Sequence, residues 1–166
     1  MKDVYLGIGG NADHTEQVMR LVLKSIAEID GVYDVVVSSF YDTTPVSDIV
    51  QPDYINAVCK LTTSMQAHAL QKHLQSIEVS FGKTPKPKNA PRIIDIDILF
   101  FGTEKHEEPD LQIPHPRWHE RLFVLVPLLE LTKSITLPNL EQVNLNLSVE
   151  TFTNPNHEKV ICRKSP

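Results

Sequence analysis

The stretch Ile93-Ile94-Asp95-Ile96-Asp97-Ile98-Leu99-Phe100-Phe101 decides the fold, because it is the most strand-like segment of the chain. Successive side chains of a strand point to opposite faces, so the isoleucines at even positions share one face and Asp95 and Asp97 share the other. The apolar face predicts burial in a core. We therefore predict a sheet with one buried face and one face left to be covered or to bind a ligand.

The segments before this strand predict more of the same sheet. Val4 to Ile8 alternates apolar side chains and breaks at Gly9-Gly10-Asn11, which predicts a strand followed by a turn. Apolar residues at helical spacing come next, and Asp13 and Glu16 match a capping box at the start of that helix. β-branched and aromatic residues then predict a second strand from Val35 to Tyr41.

A third strand and a second helix lie between that strand and Ile93. Alternation from Tyr54 to Thr62 predicts a strand that turns Tyr54 and Asn56 to the same face. Ser64 is the predicted cap of the helix that follows. The buried stripe of that helix is predicted to be Ala67, Leu70, Leu74, Ile77 and Phe81. The resulting order β-α-β-β-α-β is typical of a ferredoxin-like α+β sandwich, in which helices cover one face of an antiparallel sheet.

The remainder of the chain predicts additions at the C-terminal end of this sandwich. After Gly102 we expect a loop, a Pro-rich turn around 114–116 and a short apolar helix through Leu131. A further hairpin is expected around 135–147, and the polar last fifteen or so residues predict an extension or loosely packed tail. We divide the chain into a domain at 1–133 and a C-terminal extension at 134–166.

Composition excludes several classes of protein. The 166 residues carry 16 Lys and Arg against 21 Asp and Glu, and this net charge of −5 argues against nucleic-acid binding. The longest apolar stretch, Leu122 to Leu131, is too short to cross a bilayer. Cys59 and Cys162 form no disulfide framework, although a bond between them stays open. We expect a cytoplasmic protein that binds neither nucleic acid nor membrane.

Charge is distributed unevenly around the carboxylate pair. The segment Gly82 to Arg92 holds four cations, three prolines and no acid, which predicts an exposed basic loop or a plain solvated linker. Asp95 and Asp97 would repel each other, and Mg²⁺ would relieve that repulsion. The alternative is two solvated acids paired with Arg92 or Lys60. A metal ion beside cations suits a polyphosphate, since phosphoryl transfer depends on neutralising the oxygens.

Other clusters leave alternatives open. The chain has no Walker-type phosphate loop. His115 and His119 could share a zinc ion, but Pro116 begins a helix between them, so a capping or ligand-contacting role for His115 and Arg121 is more economical. Aromatic residues of the third strand and the apolar helix could stack on a flat heterocycle or belong to the core.

Five ordered motifs carry a resemblance to a known family. They are Gly9-Gly10-Asn11, Ser38 to Pro45, Gln51 to Ala57, Pro91 to Leu99, and Pro114-His115-Pro116 continued by Arg121 to Leu125. Together they closely resemble 6-hydroxymethyl-7,8-dihydropterin pyrophosphokinase, a folate-pathway enzyme with a ferredoxin-like fold. The resemblance covers roughly residues 4 to 132.

The resemblance implies an activity and a set of site residues. The implied reaction transfers the pyrophosphoryl group of ATP to the 6-hydroxymethyl group of the dihydropterin and releases AMP. Asp95 and Asp97 are implied to hold two Mg²⁺ ions, and Lys83, Arg92 and Asp97 to act in catalysis. The implied pterin pocket comprises Thr43, Thr44, Pro45, Tyr54, Asn56 and Phe123. The implied ATP contacts are Gln75, Lys83, Arg92, Ile98, His115 and Arg121. We expect ATP and a dihydropterin as small-molecule substrates, and we expect a monomer.

The sequence departs from the family pattern in the basic loop. Lys83 stands where family members commonly carry an Arg, Pro85 stands for a second Arg, and Asn89-Ala90 replace a Trp-Gly pair. Lysine keeps the charge but lacks the planar fork of arginine, so phosphate clamping should be less strict. Lys86 and Lys88 could compensate, and we predict that activity is retained.

Two rival functions remain at this stage. A non-catalytic ferredoxin-like module could bind a pterin or a nucleotide without turnover. A metal-independent hydrolase could use Asp95 and Asp97 as acid and base. The hydrolase is disfavoured, because carboxylates two residues apart on one strand leave little room for a substrate between them.

Overall fold

The computed structural model describes residues 1–45, 52–84, 91–153 and 158–163. Ten strands, four α-helices and a 3-10 helix lie within these ranges. The strands are β1 Lys2–Gly10, β2 Val32–Val37, β3 Tyr41–Thr43, β4 Tyr54–Thr63, β5 Asp95–Phe101, β6 His106–Glu108, β7 Leu111–Ile113, β8 Ser134–Thr136, β9 Gln142–Asn144 and β10 Val160–Cys162. The helices are α1 Thr15–Ala27, α2 Ala67–Ser80, α3 Leu122–Leu131, α4 Leu145–Glu150 and the 3-10 helix Trp118–Glu120.

The main sheet is antiparallel throughout. Its strand order is β10-β3-β4-β1-β5, and β2 also pairs with β4. The predicted α+β class, with helices on an antiparallel sheet, is confirmed. The hairpins β6–β7 and β8–β9 form two separate two-stranded sheets.

Both faces of the main sheet carry apolar clusters. The first cluster buries the alternate side chains of β1, β4 and β5 against α1 and α2, and includes Leu6, Cys59 and Ile96. The second lies on the opposite face against α3, and includes Val58 and Leu128. Alternation along the strands therefore assigns residues to faces as predicted.

A bulge in β5 interrupts that alternation. Tyr5 pairs with Phe100 and Leu6 pairs with Ile98, which leaves Leu99 as the extra residue. Leu99 and Phe100 consequently both pack in the second cluster, and Phe101 returns to the first. Asp95 and Asp97 precede the bulge, so the pleat still places both carboxylates on one face.

The predicted helix caps are wrong, and the predicted buried stripe of the second helix is confirmed in part. Helix α1 begins at Thr15, after His14 in the left-handed region at φ 61°, so Asp13 is not its cap. Instead the Thr15 hydroxyl donates to the Ala12 carbonyl at 2.6 Å. Helix α2 follows Gln66 rather than Ser64, and it buries the first three residues of its predicted stripe.

The second predicted strand is two strands in the structure. β2 and β3 both pair with β4, and the chain between them leaves the sheet at Ser38. The Ser38 hydroxyl accepts from the Val58 N–H at 3.0 Å, and the Ser38 N–H donates to the Val58 carbonyl at 2.9 Å. A side-chain oxygen thus takes the place of a backbone carbonyl, which interrupts the ladder until Tyr41.

The C-terminal part is more ordered than predicted. The segment after Gly102 is the hairpin β6–β7 rather than a loop, while the hairpin expected around 135–147 is confirmed as β8–β9. The prediction of a loosely packed tail is wrong for residues 158–163, because β10 pairs with β3 at the sheet edge. Among the described helices, none combines the length and the apolar character needed to cross a membrane.

Candidate active site

A cavity of about 310 Å³ opens on the face of the sheet that carries the two aspartates. Strands β1, β3, β4 and β5 and the start of α3 form its walls. All six residues expected to contact the pterin line it: Thr43, Thr44, Pro45, Tyr54, Asn56 and Phe123. Asp95, Asp97 and Arg121 line the same space. We name it the first cavity; its size suits a small heterocycle.

The Asn56 amide has a defined position in the first cavity. Asn56 lies opposite Gly9 across β4 and β1, and a Cβ atom at Gly9 would lie 2.1 Å from the Asn56 Oδ1. A side chain at position 9 would therefore force the Asn56 amide to shift, whereas glycine permits the close approach. The Asn56 Nδ2 donates to the Thr43 hydroxyl at 2.6 Å. An amide held in this way presents a fixed hydrogen-bonding edge.

Phe123 is placed by the first turn of α3. Its N–H donates to Glu158 Oε1 at 2.9 Å, and the Leu122 N–H donates to Glu158 Oε2 at 3.3 Å. The Arg121 guanidinium lies 5.5 Å from the Phe123 ring centroid, in cation–π contact. Glu158, which the sequence placed in a loose tail, thus holds the aromatic wall of the first cavity.

A second cavity of about 370 Å³ lies between α2, β5 and the β6–β7 hairpin. Four of the six expected ATP contacts line it: Gln75, Lys83, Ile98 and His115. Arg121 lines the first cavity instead, and Arg92 is in the lining of neither. Asp97 lines both cavities. The two cavities therefore meet at one of the two carboxylates.

The aspartates differ in their partners. Asp95 Oδ1 lies 2.8 Å from Lys83 Nζ and 3.8 Å from Arg92 Nη1. Lys60, the other partner considered from sequence, pairs with Asp3 at 3.0 Å. Asp95 and Asp97 share one face of β5, and Asp95 is about one-third exposed. Arg117 and Arg121 line the same cavity as the two aspartates. Two open carboxylates suit a hard divalent cation.

Glu78 is a site residue that the sequence analysis missed. It is 5% exposed, and its Oε1 accepts from Lys83 Nζ at 2.7 Å and from the Ile96 N–H at 2.7 Å. Burial raises the pKa of Glu78, against the opposing effect of these two donors. Burial lowers the pKa of Lys83, but its bonds to Asp95 and Glu78 outweigh this effect and the pKa is raised. The sequence did offer one signal for Glu78, because this acidic residue lies next to the predicted apolar stripe of α2.

Arg92 is held through its backbone by the turn after β1. The Arg92 N–H donates to Asn11 Oδ1 at 2.8 Å, and the Asn11 N–H donates to the Arg92 carbonyl at 2.9 Å. Asn11 Nδ2 also donates to the Pro52 carbonyl at 3.2 Å. The motif Gly9-Gly10-Asn11 therefore fixes the residue that begins the approach to β5, a function that the sequence did not indicate.

His115 is half-buried and packed against β5. Its N–H donates to the Leu99 carbonyl at 2.9 Å, and its Nδ1 accepts from the Arg117 N–H at 3.1 Å. Burial lowers the pKa of His115, which favours the neutral ring. His119 belongs to the 3-10 helix that follows, so these two histidines do not share one helix. Residues 85–90, including Pro85, Lys86, Lys88 and Asn89-Ala90, lie outside the described residues.

The sequence matches a family model over most of its length. The model for 7,8-dihydro-6-hydroxymethylpterin-pyrophosphokinase matches residues 5–133. The chain belongs to this family. The predicted activity, pyrophosphoryl transfer from ATP to hydroxymethyldihydropterin in folate biosynthesis, is thereby confirmed, and ATP is the co-substrate of the family.

Curated relatives agree with this assignment. The chain is 36% identical over 139 residues to 2-amino-4-hydroxy-6-hydroxymethyldihydropteridine pyrophosphokinase of Haemophilus influenzae, covering 84% of this chain and 87% of that protein. It is 35% identical over 131 residues to the enzyme of the same name from Bacillus subtilis, covering 79% and 78% of the two chains.

Solved structures of pyrophosphokinases share the fold. An HPPK-DHPS in complex with substrates matches with a TM-score of 0.70 at 12% identity, over 91% of this chain and 45% of that chain. Plasmodium falciparum HPPK-DHPS matches with a TM-score of 0.66 at 13% identity, over 90% and 43%. The chain spans less than half the length of these solved chains. At such identities the likeness concerns the fold alone.

Proposed function

We propose that the first cavity binds the dihydropterin, the second binds ATP, and the reaction takes place at Asp97, where they meet. This position of Asp97, on the lining of both cavities, is the observation that carries the proposal. The pterin hydroxyl oxygen forms a bond to the β-phosphorus of ATP. The bond from that phosphorus to the α-phosphate oxygen breaks, the hydroxyl proton is lost, and AMP leaves.

We propose that Asp95 and Asp97 hold two Mg²⁺ ions. The donor set supports this assignment, since both carboxylates lie on one face of β5 and border open space. When bound, the metal ions would supply charge neutralisation at the triphosphate. Lys83, which now pairs with Asp95, would then be available to the phosphates while Glu78 keeps it close.

Other side chains would recognise the two substrates. Asn56 reads the amide edge of the pterin, and Tyr54 and Phe123 pack on the ring faces beside the wall formed by Thr43, Thr44 and Pro45. Gln75, Ile98 and His115 contact ATP in the second cavity. Arg92, beside Asp95, and Arg121, in the first cavity, would bind phosphate oxygens, since a guanidinium group can do so in a bidentate manner.

Exchange of Asp97 for Ala tests this assignment. We expect loss of Mg²⁺-dependent ATP binding in calorimetry and loss of AMP formation from ATP with the dihydropterin as acceptor. Asp30→Ala, an exposed aspartate after α1, is the matched control and should retain both. Unchanged metal dependence in Asp97→Ala would contradict the proposal. Ligand binding without any AMP release by the unaltered protein would favour the non-catalytic binding module.

We also propose the finer fold assignment. The strand order β5-β1-β4, with β2 and β3 beyond β4, supports the ferredoxin-like sandwich, because the first and third strands of that fold are central. The family match at 5–133 supports a domain at 1–133 with an extension at 134–166, although β10 of that extension completes the sheet. A monomeric state and a cytoplasmic location stay predictions, and gel filtration would test the first.

A further inference from the structure

A cluster of metal-ligating side chains lies outside both cavities, where the β6–β7 hairpin meets α2. His68 is in the first turn of α2, and His106 and Glu108 are in β6. One potential ligand atom from each lies within 4.8 Å of the others. The His68 and His106 rings meet edge to face, with centroids 5.5 Å apart. Two imidazole nitrogens and one carboxylate oxygen are a donor set typical of Zn²⁺.

The orientation of His106 supports a metal at this place. Its Nε2 lies 2.9 Å from Glu104 Oε2, and Glu104 in turn pairs with Lys2 at 2.6 Å. A metal-ligating histidine commonly donates its other N–H to a carboxylate, which fixes the ring and its tautomer.

This arrangement leaves the second nitrogen of His106 with an unfavourable neighbour. If Nε2 donates to Glu104, the lone pair of Nδ1 faces Glu108 Oε2 at a distance of 3.5 Å. Two acceptors at that separation repel unless a proton or a cation lies between them. A divalent cation would satisfy the same two atoms and also engage His68.

The surroundings allow a metal ion to enter. The His106 side chain is 18% exposed and the Glu108 side chain is 47% exposed. Solvent therefore reaches the cluster, and water could complete a tetrahedral zinc site. The site joins two elements that already touch, because Gln71 of α2 donates to the Asp110 carbonyl in the hairpin.

We propose that His68, His106 and Glu108 bind a zinc-class divalent cation that ties the β6–β7 hairpin to α2. The donors are softer than the aspartate pair of β5, so the two sites select different ions. Metal binding here stabilises the folded chain, since the ion links segments distant in sequence. This inference does not depend on the proposed catalytic function.

Zinc binding to the full chain tests the proposal. Protein freed of metal with a chelator is titrated with Zn²⁺ by calorimetry, with millimolar Mg²⁺ present to occupy the aspartates of β5. We expect one tight Zn²⁺ equivalent and a rise in the melting temperature. His68→Ala and Glu108→Gln should abolish both effects. Glu104→Gln should weaken binding by about 10-fold to 100-fold, as loss of an orienting carboxylate does.

Controls separate this site from others. His73→Ala alters an exposed histidine on the same helix and should leave the Zn²⁺ affinity unchanged. Asp97→Ala should also leave it unchanged. Glu108 is exposed, so its substitution does not endanger folding. Absence of a tight Zn²⁺ equivalent would overturn the proposal. So would a Zn²⁺ affinity in His68→Ala and Glu108→Gln equal to that of the unaltered protein.

Discussion

Lys83 is shared between two carboxylates that differ in burial. It lies 2.7 Å from the buried Glu78 and 2.8 Å from Asp95, which is about one-third exposed. A metal ion at Asp95 would compete with Lys83 for the same oxygen, Oδ1. Glu78 remains as the partner of Lys83 when Asp95 is engaged elsewhere. The buried Glu78 thus keeps the Lys83 ammonium group beside the second cavity, which Lys83 lines.

Glu78→Leu should destabilise the protein, because it leaves the buried Ile96 N–H without its acceptor and removes one partner of Lys83. We expect a loss of about 1–3 kcal/mol in the free energy of unfolding, measured by urea denaturation. Glu78→Gln retains an acceptor oxygen at the same place, so its free energy of unfolding should decrease less. Equal stability of the Leu variant and the unaltered protein would show that this buried hydrogen bond contributes nothing.

Lys83→Arg should strengthen ATP binding, because a guanidinium can bind phosphate oxygens through two parallel N–H donors. We expect a lower KM for ATP with the KM for the dihydropterin unchanged, measured by steady-state AMP formation. Lys72→Arg, at an exposed position of α2, is the control for a general effect of arginine. A higher KM for ATP would mean that the cavity is adapted to lysine.

At the scale of elements, α3 depends on a residue far along the chain. Its first N–H groups lack partners within the helix, and none of its neighbouring side chains caps it. Glu158 accepts from two of them and is only 6% exposed. This carboxylate thereby links the stability of α3 to the position of Phe123.

Because Glu158 can ionise, its contribution to the stability of the folded state should depend on pH. Burial raises its pKa above the ordinary value of 4.5, against the opposing effect of the Phe123 and Leu122 N–H groups. The folded state then holds the proton more tightly than the unfolded state, so the contribution of Glu158 to stability decreases as pH rises from 4.5 through the raised pKa.

Glu158→Gln cannot ionise and should therefore gain stability relative to the unaltered protein over that pH interval. Thermal denaturation of both proteins at a series of pH values measures the difference. Glu150→Gln, at an exposed position of α4, should show no such trend. If the difference in stability between Glu158→Gln and the unaltered protein stayed constant with pH, the assigned pKa shift would be refuted.

For the whole molecule, the C-terminal strand closes one edge of the main sheet. β10 pairs with β3, and Thr44 exchanges hydrogen bonds with Lys159: its N–H donates to the Lys159 carbonyl at 3.1 Å and its hydroxyl accepts from the Lys159 N–H at 2.9 Å. Thr43 and Thr44 line the first cavity. The last described segment of the chain therefore supports the wall on which the pterin is expected to bind.

A chain ending at Thr153 should lose part of this support. We expect a lower melting temperature and a KM for the dihydropterin that rises more than the KM for ATP, because the second cavity has no lining residue from β10 or β3. A matched control is the double substitution of Lys164 and Ser165 by Ala in the full chain. Equal increases of both KM values would mean that the loss of β10 disturbs the fold generally rather than the first cavity.

The sequence by itself determined the faces of the main sheet and the family. Alternation is a local property of an extended chain, so the positions of Asp95, Asp97, Tyr54 and Asn56 follow from residue spacing alone. The ordered motifs identified the activity without any coordinate. The predicted helix caps failed. Helix α1 begins after His14, where the Thr15 hydroxyl donates to the Ala12 carbonyl, and α2 begins after Gln66, whose side chain makes no capping hydrogen bond.

Only the tertiary structure decided how distant segments combine. The meeting of two cavities at Asp97, the Glu78–Lys83–Asp95 chain of charges and the Glu158 cap each join residues from separate elements. The His68 cluster likewise exists only where the β6–β7 hairpin packs on α2. Such contacts depend on the packing of whole elements, whose relative positions are set by long-range burial rather than by the local pattern of side chains.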